Sequence, residues 1–279
     1  MILVAGGTGR LGTLVVSQLA ERGLEVRVLT REPARAAQLA GVATEIATGD
    51  VRDRASIERA MGGVTTVVSA VHGFAGPGHV TPASIDRDGN ANLVDAAAAA
   101  GAHVVLMSVV GVSAGSPMEL FRAKHDAEEH LRANGAPWTI VRSTAFVELW
   151  AEIMRKPLVF GRGDNPINFV SVHDVAAVVV RAVVDPNLRG QILEVGGPQN
   201  VTFNELAALL QQARGRSGKI HHVPRAILRA LAPLARQPRA AITMDTADMR
   251  FDVTGRSDLP LTDLRIALSR VTSESNQTA

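Results

Sequence analysis

The sequence predicts an α/β fold, a doubly wound parallel sheet with a small C-terminal subdomain, on three observations. Across the first two-thirds of the chain, short apolar runs alternate with longer helical patterns. The first run, Ile2–Ala5, passes through a glycine-rich turn straight into an amphipathic segment. After about residue 145 the rhythm becomes irregular, as a subdomain built of smaller pieces would be.

The elements follow in order. Ile2–Ala5 reads as a strand and Leu11–Glu21 as a helix closed by Gly23. Glu25–Thr30 is the second strand, and Pro33 opens a short helix at the position where its missing N–H costs nothing. Thr44–Ala47 is the third strand, and Asp53 caps a helix that ends near Gly62–Gly63. Val64–Ala70 is the fourth strand, followed by a Gly/Pro-rich loop, His72–His79, with the composition of a movable lid. A long helix covers about Ser84–Ala100, His103–Met107 is the fifth strand, Pro117–Asn134 is helical, and Trp138–Arg142 is the sixth strand. Beyond it, Asp174–Val184, Phe203–Arg214 and Ala226–Ala235 read as helices and Gln191–Val195 as a strand, with Lys219–Val223 as a separator. The polar tail 272–279 reads as disordered.

Composition narrows the function classes. No apolar run approaches the ~20 residues of a membrane span. The chain starts on a strand with no basic segment before it, so no signal peptide is expected and a cytoplasmic protein is the default. It has no cysteine, which removes disulfides and thiolate metal sites, and His221–His222 has no carboxylate cluster in sequence, so no metal site is expected. The sequence pI of 9.6 is not a nucleic-acid signal. The net charge is only +2, and with neither Cys nor Tyr nothing titrates between His and Lys to remove it. A local asymmetry exists: no acid lies between Glu205 and Asp245, while Arg214, Arg216, Lys219, Arg225, Arg229, Arg236 and Arg239 do. That stretch reads as a solvated helix over a cleft, or as a surface for an anionic substrate, a membrane surface or a protein partner.

The sharpest motif is Val4-Ala-Gly-Gly-Thr-Gly-Arg-Leu-Gly12. Its glycines have the spacing G-x-x-G-x-x-G between a strand and a helix, the context of a dinucleotide site. Gly6 permits the tight turn, Gly9 lets the backbone approach a pyrophosphate, and Gly12 lets the helix pack close to the strand. Gly6, Thr8, Gly9, Arg10, Leu11 and Gly12 are therefore the candidate cradle, with the helix N-terminus presenting free N–H groups to phosphate. At the end of the second strand an NAD-preferring site carries an acid for the ribose 2′-OH; this chain has Thr30 and Arg31, with Arg35 one turn on. A guanidinium holds a 2′-phosphate and a carboxylate repels it, so NADP(H) is the expected coenzyme; the alternative is a solvated surface arginine. Asp50, in Gly49-Asp-Val51, is either an adenine acceptor with Val51 beside it or a turn residue.

These motifs, with the strand Val67-Val-Ser-Ala70 and Pro137-Trp-Thr-Ile-Val-Arg142, resemble the atypical short-chain dehydrogenase/reductases. The nearest group is the NmrA-like and NAD(P)H-quinone or triphenylmethane reductase-like proteins, over residues 1–215. The resemblance implies a Rossmann-type NADP-binding domain, 1–145 with 170–195 returning to it, and a substrate-binding subdomain, 146–169 with 196–270. It implies that Ala70, Val71 and His72 flank the coenzyme, that Thr144, Ala145 and Phe146 lie near the nicotinamide, and that Lys124 binds the nicotinamide ribose. The other reading of Lys124 is a solvated helix lysine paired with Glu128.

Ketone-reducing members of that family resemble each other in a Ser at the end of the fifth strand and a Tyr-x-x-x-Lys on the next helix. Ser108 and Lys124 match; the tyrosine position is Leu120, and the chain has no tyrosine at all. A protein acid is essential when the product is an alkoxide and matters less for a phenolate of pKa about 10. The departure thus favours quinones, iminium-like dyes and conjugated carbonyls as hydride acceptors, or no catalysis. Ser108, Lys124 and His72 are the candidate catalytic residues, with His125 a second imidazole. Phe74, Phe121, Phe146 and Trp150 line a flat apolar pocket or belong to the core. The expectation is a cytoplasmic NADPH-dependent reductase of a small aromatic or conjugated electrophile, with a homodimer as candidate assembly. A non-catalytic NADP-sensing regulator of NmrA type is the alternative, and an epimerase or dehydratase a third.

Overall fold

The fold is that of a computed structural model, which describes residues 1–74, 80–233, 236–252 and 261–277. In chain order the regular elements are β1 (Ile2–Ala5), α1 (Arg10–Ala20), β2 (Val26–Thr30), β3 (Glu45–Thr48), α2 (Arg54–Ala60), β4 (Thr66–Ser69), α3 (Asp88–Ala99), β5 (His103–Val109), α4 (Glu119–Asn134) and β6 (Trp138–Ser143). Then come β7 (Ala145–Phe146), α5 (Val147–Ile153), β8 (Leu158–Phe160), β9 (Pro166–Val170), α6 (Val172–Val184), β10 (Ile192–Val195), β11 (Asn200–Thr202), α7 (Phe203–Ala213), β12 (His221–Val223), α8 (Arg225–Leu231), α9 (Arg236–Met244) and α10 (Leu264–Gln277). The chain divides into two compact units, Met1–Arg142 with Val175–Glu194, and Ser143–Asp174 with Val195–Ala279.

The first unit holds a seven-stranded sheet in the order β10-β6-β5-β4-β1-β2-β3. β1 pairs in parallel with β2 and β4, β2 with β3, and β4 with β5. Order reverses between β1 and β4, which opens the crevice at their carboxyl ends where doubly wound sheets bind ligands. β1 is apolar at every position, and both β1 and β4 are buried throughout, as strands covered on both faces must be. α1 buries Leu11, Val15, Val16 and Leu19 on one stripe. Asp53 caps α2 as expected, its carboxylate accepting from the Ala55 N–H. α4 ends at Gly135, whose φ of 85° is the left-handed cap that favours glycine.

The second unit has small sheets, β11-β9-β7 and β12-β8, around a core of Val147, Phe169, Leu206, Leu210 and Leu268. Its anchor is Asp245, buried, which accepts from the Arg162 and Gly163 N–H groups and pairs with Arg225. Burial would raise its pKa, but Arg225 and those two N–H groups hold it below the ordinary value. Part of the basic stretch is structural: Arg214 donates to the Ala151 and Met154 carbonyls at the end of α5, and Arg239 to the Ala232 carbonyl.

Three expectations are corrected. The tail is not disordered from residue 272: α10 continues to Gln277, because Leu264, Ala267, Leu268 and Val271 make a buried i, i+3, i+4, i+7 stripe that sequence reading had not joined. The long helix at 84–100 begins instead as a π-helical turn, Pro82–Arg87. Lys219–Val223 contains β12, since His221–Val223 pairs with Leu158–Phe160.

His103, at the start of β5, is buried. The Thr139 hydroxyl spends its proton on the Leu188 carbonyl at 2.9 Å, so the His103 Nε2–H must donate to Thr139 Oγ1 at 3.0 Å. That leaves Nδ1 a bare buried lone pair, and burial, helped by the Arg189 charge, lowers the His103 pKa to about 4. The unfolded chain, with a pKa of 6.5, binds this proton more readily, so the neutral ring stabilises the fold fully above pH 6.5 and the contribution is lost as pH falls through about 4. Denaturant melts from pH 7 to 4 should show an acid destabilisation of about 2–3 kcal/mol that His103→Gln, which keeps the donor, removes. An unchanged pH dependence in the variant would refute the assignment.

Candidate functional site

At the β1–α1 turn, backbones meet with no room for side chains. Gly6 has a φ of 82°, and a Cβ there would stand 2.6 Å from the Ala70 carbonyl oxygen at the end of β4. A Cβ on Gly12 would stand 2.1 Å from the Gly6 oxygen, so helix and turn touch only because both are glycine. Gly9 differs. Its φ of −86° suits any residue, and a Cβ would meet only the Gly6 oxygen at 3.2 Å. It is the N-cap of α1 and makes no side-chain cap, so the first N–H groups of an eleven-residue helix face the open side of the turn. A glycine at this helix start, less crowded than Gly6 or Gly12, fits a cradle for an anionic ligand. Thr8 is half-buried and Arg10 exposed at the same turn, while Leu11 is buried on the sheet side.

Around the turn stand the other strand ends. The Thr30 side chain bonds Glu32, leaving Arg31 and Arg35 exposed on the carboxyl side of β2. Asp50 adopts the turn role: its carboxylate accepts from the Arg52 N–H at 2.9 Å and grips the Arg52 guanidinium at 2.6 Å. The Arg52 hydrogen bond, with a smaller contribution from the Arg31 charge, holds Asp50 below its usual pKa. Val51 is buried under it, its carbonyl taken by Asn92.

At the end of β4, Ala70 closes on Gly6, and Val71, His72, Gly73 and Phe74 follow; residues 75–79 of the expected lid lie outside the described residues. Lys124 is neither solvated nor paired with Glu128. It is 4% exposed, its Nζ 2.9 Å from Asp86 Oδ1 and 3.1 Å from the Val71 carbonyl it donates to. The Asp86 contact is an ion pair by distance, outside hydrogen-bond angles, so its attraction is Coulombic. Glu128, fully buried, takes Arg142 at 2.6 Å and Arg132 at 2.8 Å instead. Burial pushes the Glu128 pKa up, but Arg142 foremost, then the adjacent Ser108 hydroxyl and Arg132, bring it below the ordinary value. Ser108 itself is buried at the end of β5; its hydroxyl is near that carboxylate yet makes no hydrogen bond of regular geometry. His72 is exposed by area but crowded by protein; that desolvation lowers its pKa, Asp86 opposing and Lys124 adding to it. His125 reaches Asp126 only at 3.5 Å.

Of the expected aromatic pocket, Phe74 and Phe121 are half-buried in the first unit. Trp150 is partly buried and packs against the core of the second, its ring 4.6 Å from Phe203 and 6.5 Å from Phe169, beside a small apolar hollow lined by Met154, Val159 and Phe160. Thr144 bonds Asn168 at 2.8 Å, and Ala145–Phe146 form β7 alongside Phe169–Val170. Sequence reading missed Asp86, Asn90 and Asn168. All three are buried polar hubs in segments whose polar residues mostly face solvent, and no spacing marks them.

The family model described as NAD(P)H-binding matches residues 6–186, the span that carries the glycine turn and the sheet strands β2 to β6. The chain belongs to this NAD(P)H-binding family. Its cofactor is NAD(P)H, and it is an NAD(P)H-dependent oxidoreductase. It is similar to the NAD(P)H azoreductase of Xenophilus azovorans, 32% identical over 77% of this chain and 74% of the relative. It is also similar to the (4-alkanoyl-5-oxo-2,5-dihydrofuran-3-yl)methyl phosphate reductase of Streptomyces griseus, 34% identical over the same shares. Among solved structures, the Citrobacter triphenylmethane reductase complexed with NADP(H) shares the fold at 21% identity, TM-score 0.79, over 97% of this chain and 100% of that one.

The glycines make separable demands. Gly12→Ala should destabilise the fold by about 1–3 kcal/mol or more, since the added carbon collides with backbone. Gly9→Val should keep the melting temperature within a few degrees and abolish NADPH fluorescence enhancement. A folded Gly9→Val protein that still binds NADPH would remove the cradle from this turn.

Proposed function

We propose that this protein is an NADPH-dependent reductase that passes hydride to a small conjugated electrophile of quinone, imine or enone type, without a tyrosine acid. The observation that carries this is Leu120. It stands one turn before Lys124 on α4, in the tyrosine position of the resembled pattern, and no Tyr exists to replace it. NADPH supplies the hydride when bound. Gly6–Gly12 and the uncapped start of α1 hold its pyrophosphate, and Arg31 with Arg35 reads the 2′-phosphate. Ala70–His72 would border the nicotinamide end. Lys124 Nζ is engaged by Asp86 and the Val71 carbonyl, and desolvation lowers the His72 pKa, which makes that imidazole a poor proton donor at neutral pH. Such a site suits acceptors whose reduced form is a stabilised anion. The two relatives support the class by name: an azo group is a conjugated N=N, and the dihydrofuranone has its ring C=C conjugated to carbonyls.

Turnover of a quinone and of a matched aliphatic ketone, side by side, tests the reading. General acid help is worth roughly 10²–10⁴ in rate, so the quinone should be reduced and the ketone fall below detection. Efficient ketone reduction would overturn the argument. No turnover of any acceptor with tight NADPH binding would favour an NADP-sensing regulator instead. Calorimetry should further show NADP(H) bound more tightly than NAD(H), with Arg31→Ala collapsing the preference; an unchanged ratio would mean that Arg31 is not the reader.

A further inference from the structure

Asp86 is the least accessible ionised group near the coenzyme turn, and nothing in the motif reading assigns it a role. It lies on the π-helical turn Pro82–Arg87, a local form frequent at functional positions. Its carboxylate is 0% exposed, while Arg87 and Asp88 beside it pair with each other in solvent. One oxygen accepts from the Gly73 N–H at 2.7 Å, and the other lies 2.9 Å from Lys124 Nζ, which also donates to the Val71 carbonyl. Val71 and Gly73 flank His72, so the pair grips the backbone on both sides of that imidazole. The turn is held in its own right: the Ser69 hydroxyl donates to Asn90 Oδ1 at 2.5 Å, and Asn90 Nδ2 donates to the Asp86 carbonyl at 2.7 Å. Gly73 has no space for a side chain either, since a Cβ would stand 2.2 Å from the Thr81 oxygen.

A buried ion pair is a poor way to gain stability, because desolvating two charges cancels most of their attraction. What such a pair supplies is fixed geometry. The segment it fixes begins at Ala70, the residue against which Gly6 closes. We propose that Asp86 and Lys124 are a positioning pair for hydride transfer, holding Val71–Gly73, and with it His72, in place at the rim of the coenzyme turn. Lys124 thus acts through the loop backbone and Asp86. The proposal rests on the reductase reading for its kinetic consequence and on geometry alone for its structural one.

Full-length protein serves for the test, as wild type, Asp86→Asn, Lys124→Met and the double variant, which removes both buried charges and so guards against a single variant that fails to fold. The His72 ring is followed by NMR against pH, assigned with His72→Gln. Asp86 and Lys124 are the charged groups facing it and act in opposite directions. Asp86→Asn should therefore lower the His72 pKa and Lys124→Met raise it. With NADPH saturating, single-turnover reduction of a quinone should slow about 10- to 100-fold in Asp86→Asn and the double variant, the scale of ~1 Å misplacement. NADPH affinity, set mainly at the glycine turn, should change less than the rate. Folded variants whose His72 titration, ring environment and transfer rate match wild type would overturn the proposal, as would variants that lose only thermal stability. If wild type turns over no acceptor, the reductase reading fails while the His72 titrations still decide the pair.

Discussion

Three backbones meet at the carboxyl edge of the central sheet at distances that admit no Cβ. Gly12 touches Gly6, and Gly6 touches Ala70, so α1, β1 and β4 form one contact through bare main chain. That contact places the start of α1 over the point where the strand order reverses, and it fixes where β4 ends. The start of α1, the exposed arginines after β2 and the clamped segment after β4 all adjoin it. A methyl group at either Gly6 or Gly12 would push these elements apart, whereas the same group at Gly9 would press only on the Gly6 carbonyl oxygen, at 3.2 Å.

Buried carboxylates organise both units. Asp86, Glu128 and Asp245 are each out of solvent and each paired with a basic side chain. Glu128 ties α4 to β6 through Arg142, and Asp245 ties the loop after β8 to α8 through Arg225. Both are held ionised by their partners against the cost of burial. Among these, Asp86 alone has its charge directed at a loop that borders the coenzyme turn. The segment after β4 is thus bordered by a paired lysine and carboxylate and by a desolvated imidazole, in a chain that has no tyrosine.

What the chain's own letters determined is the frame of the first unit. Alternating apolar runs and glycines at i, i+3 and i+6 are local signals, because strand burial and a strand–turn–helix contact act between near neighbours in sequence. The doubly wound fold class and the NAD(P)H assignment follow from them, and composition alone gives the absence of a tyrosine. Tertiary structure alone decided which polar residues matter. Asp86 and Asp88 stand two apart in Ser-Ile-Asp-Arg-Asp, equal by composition, yet one is sealed against Lys124 and the other exposed. Lys124 could have paired with Glu128 one turn on, but α4 turns both inward to different partners. Trp150 was drawn against the core by Phe203, more than fifty residues away, and the C-terminal stretch became helix as its apolar stripe packed beside α5 and α7. Each of these outcomes depends on which distant element is packed alongside, and a pairing across the fold leaves no periodicity in the sequence by which to read it.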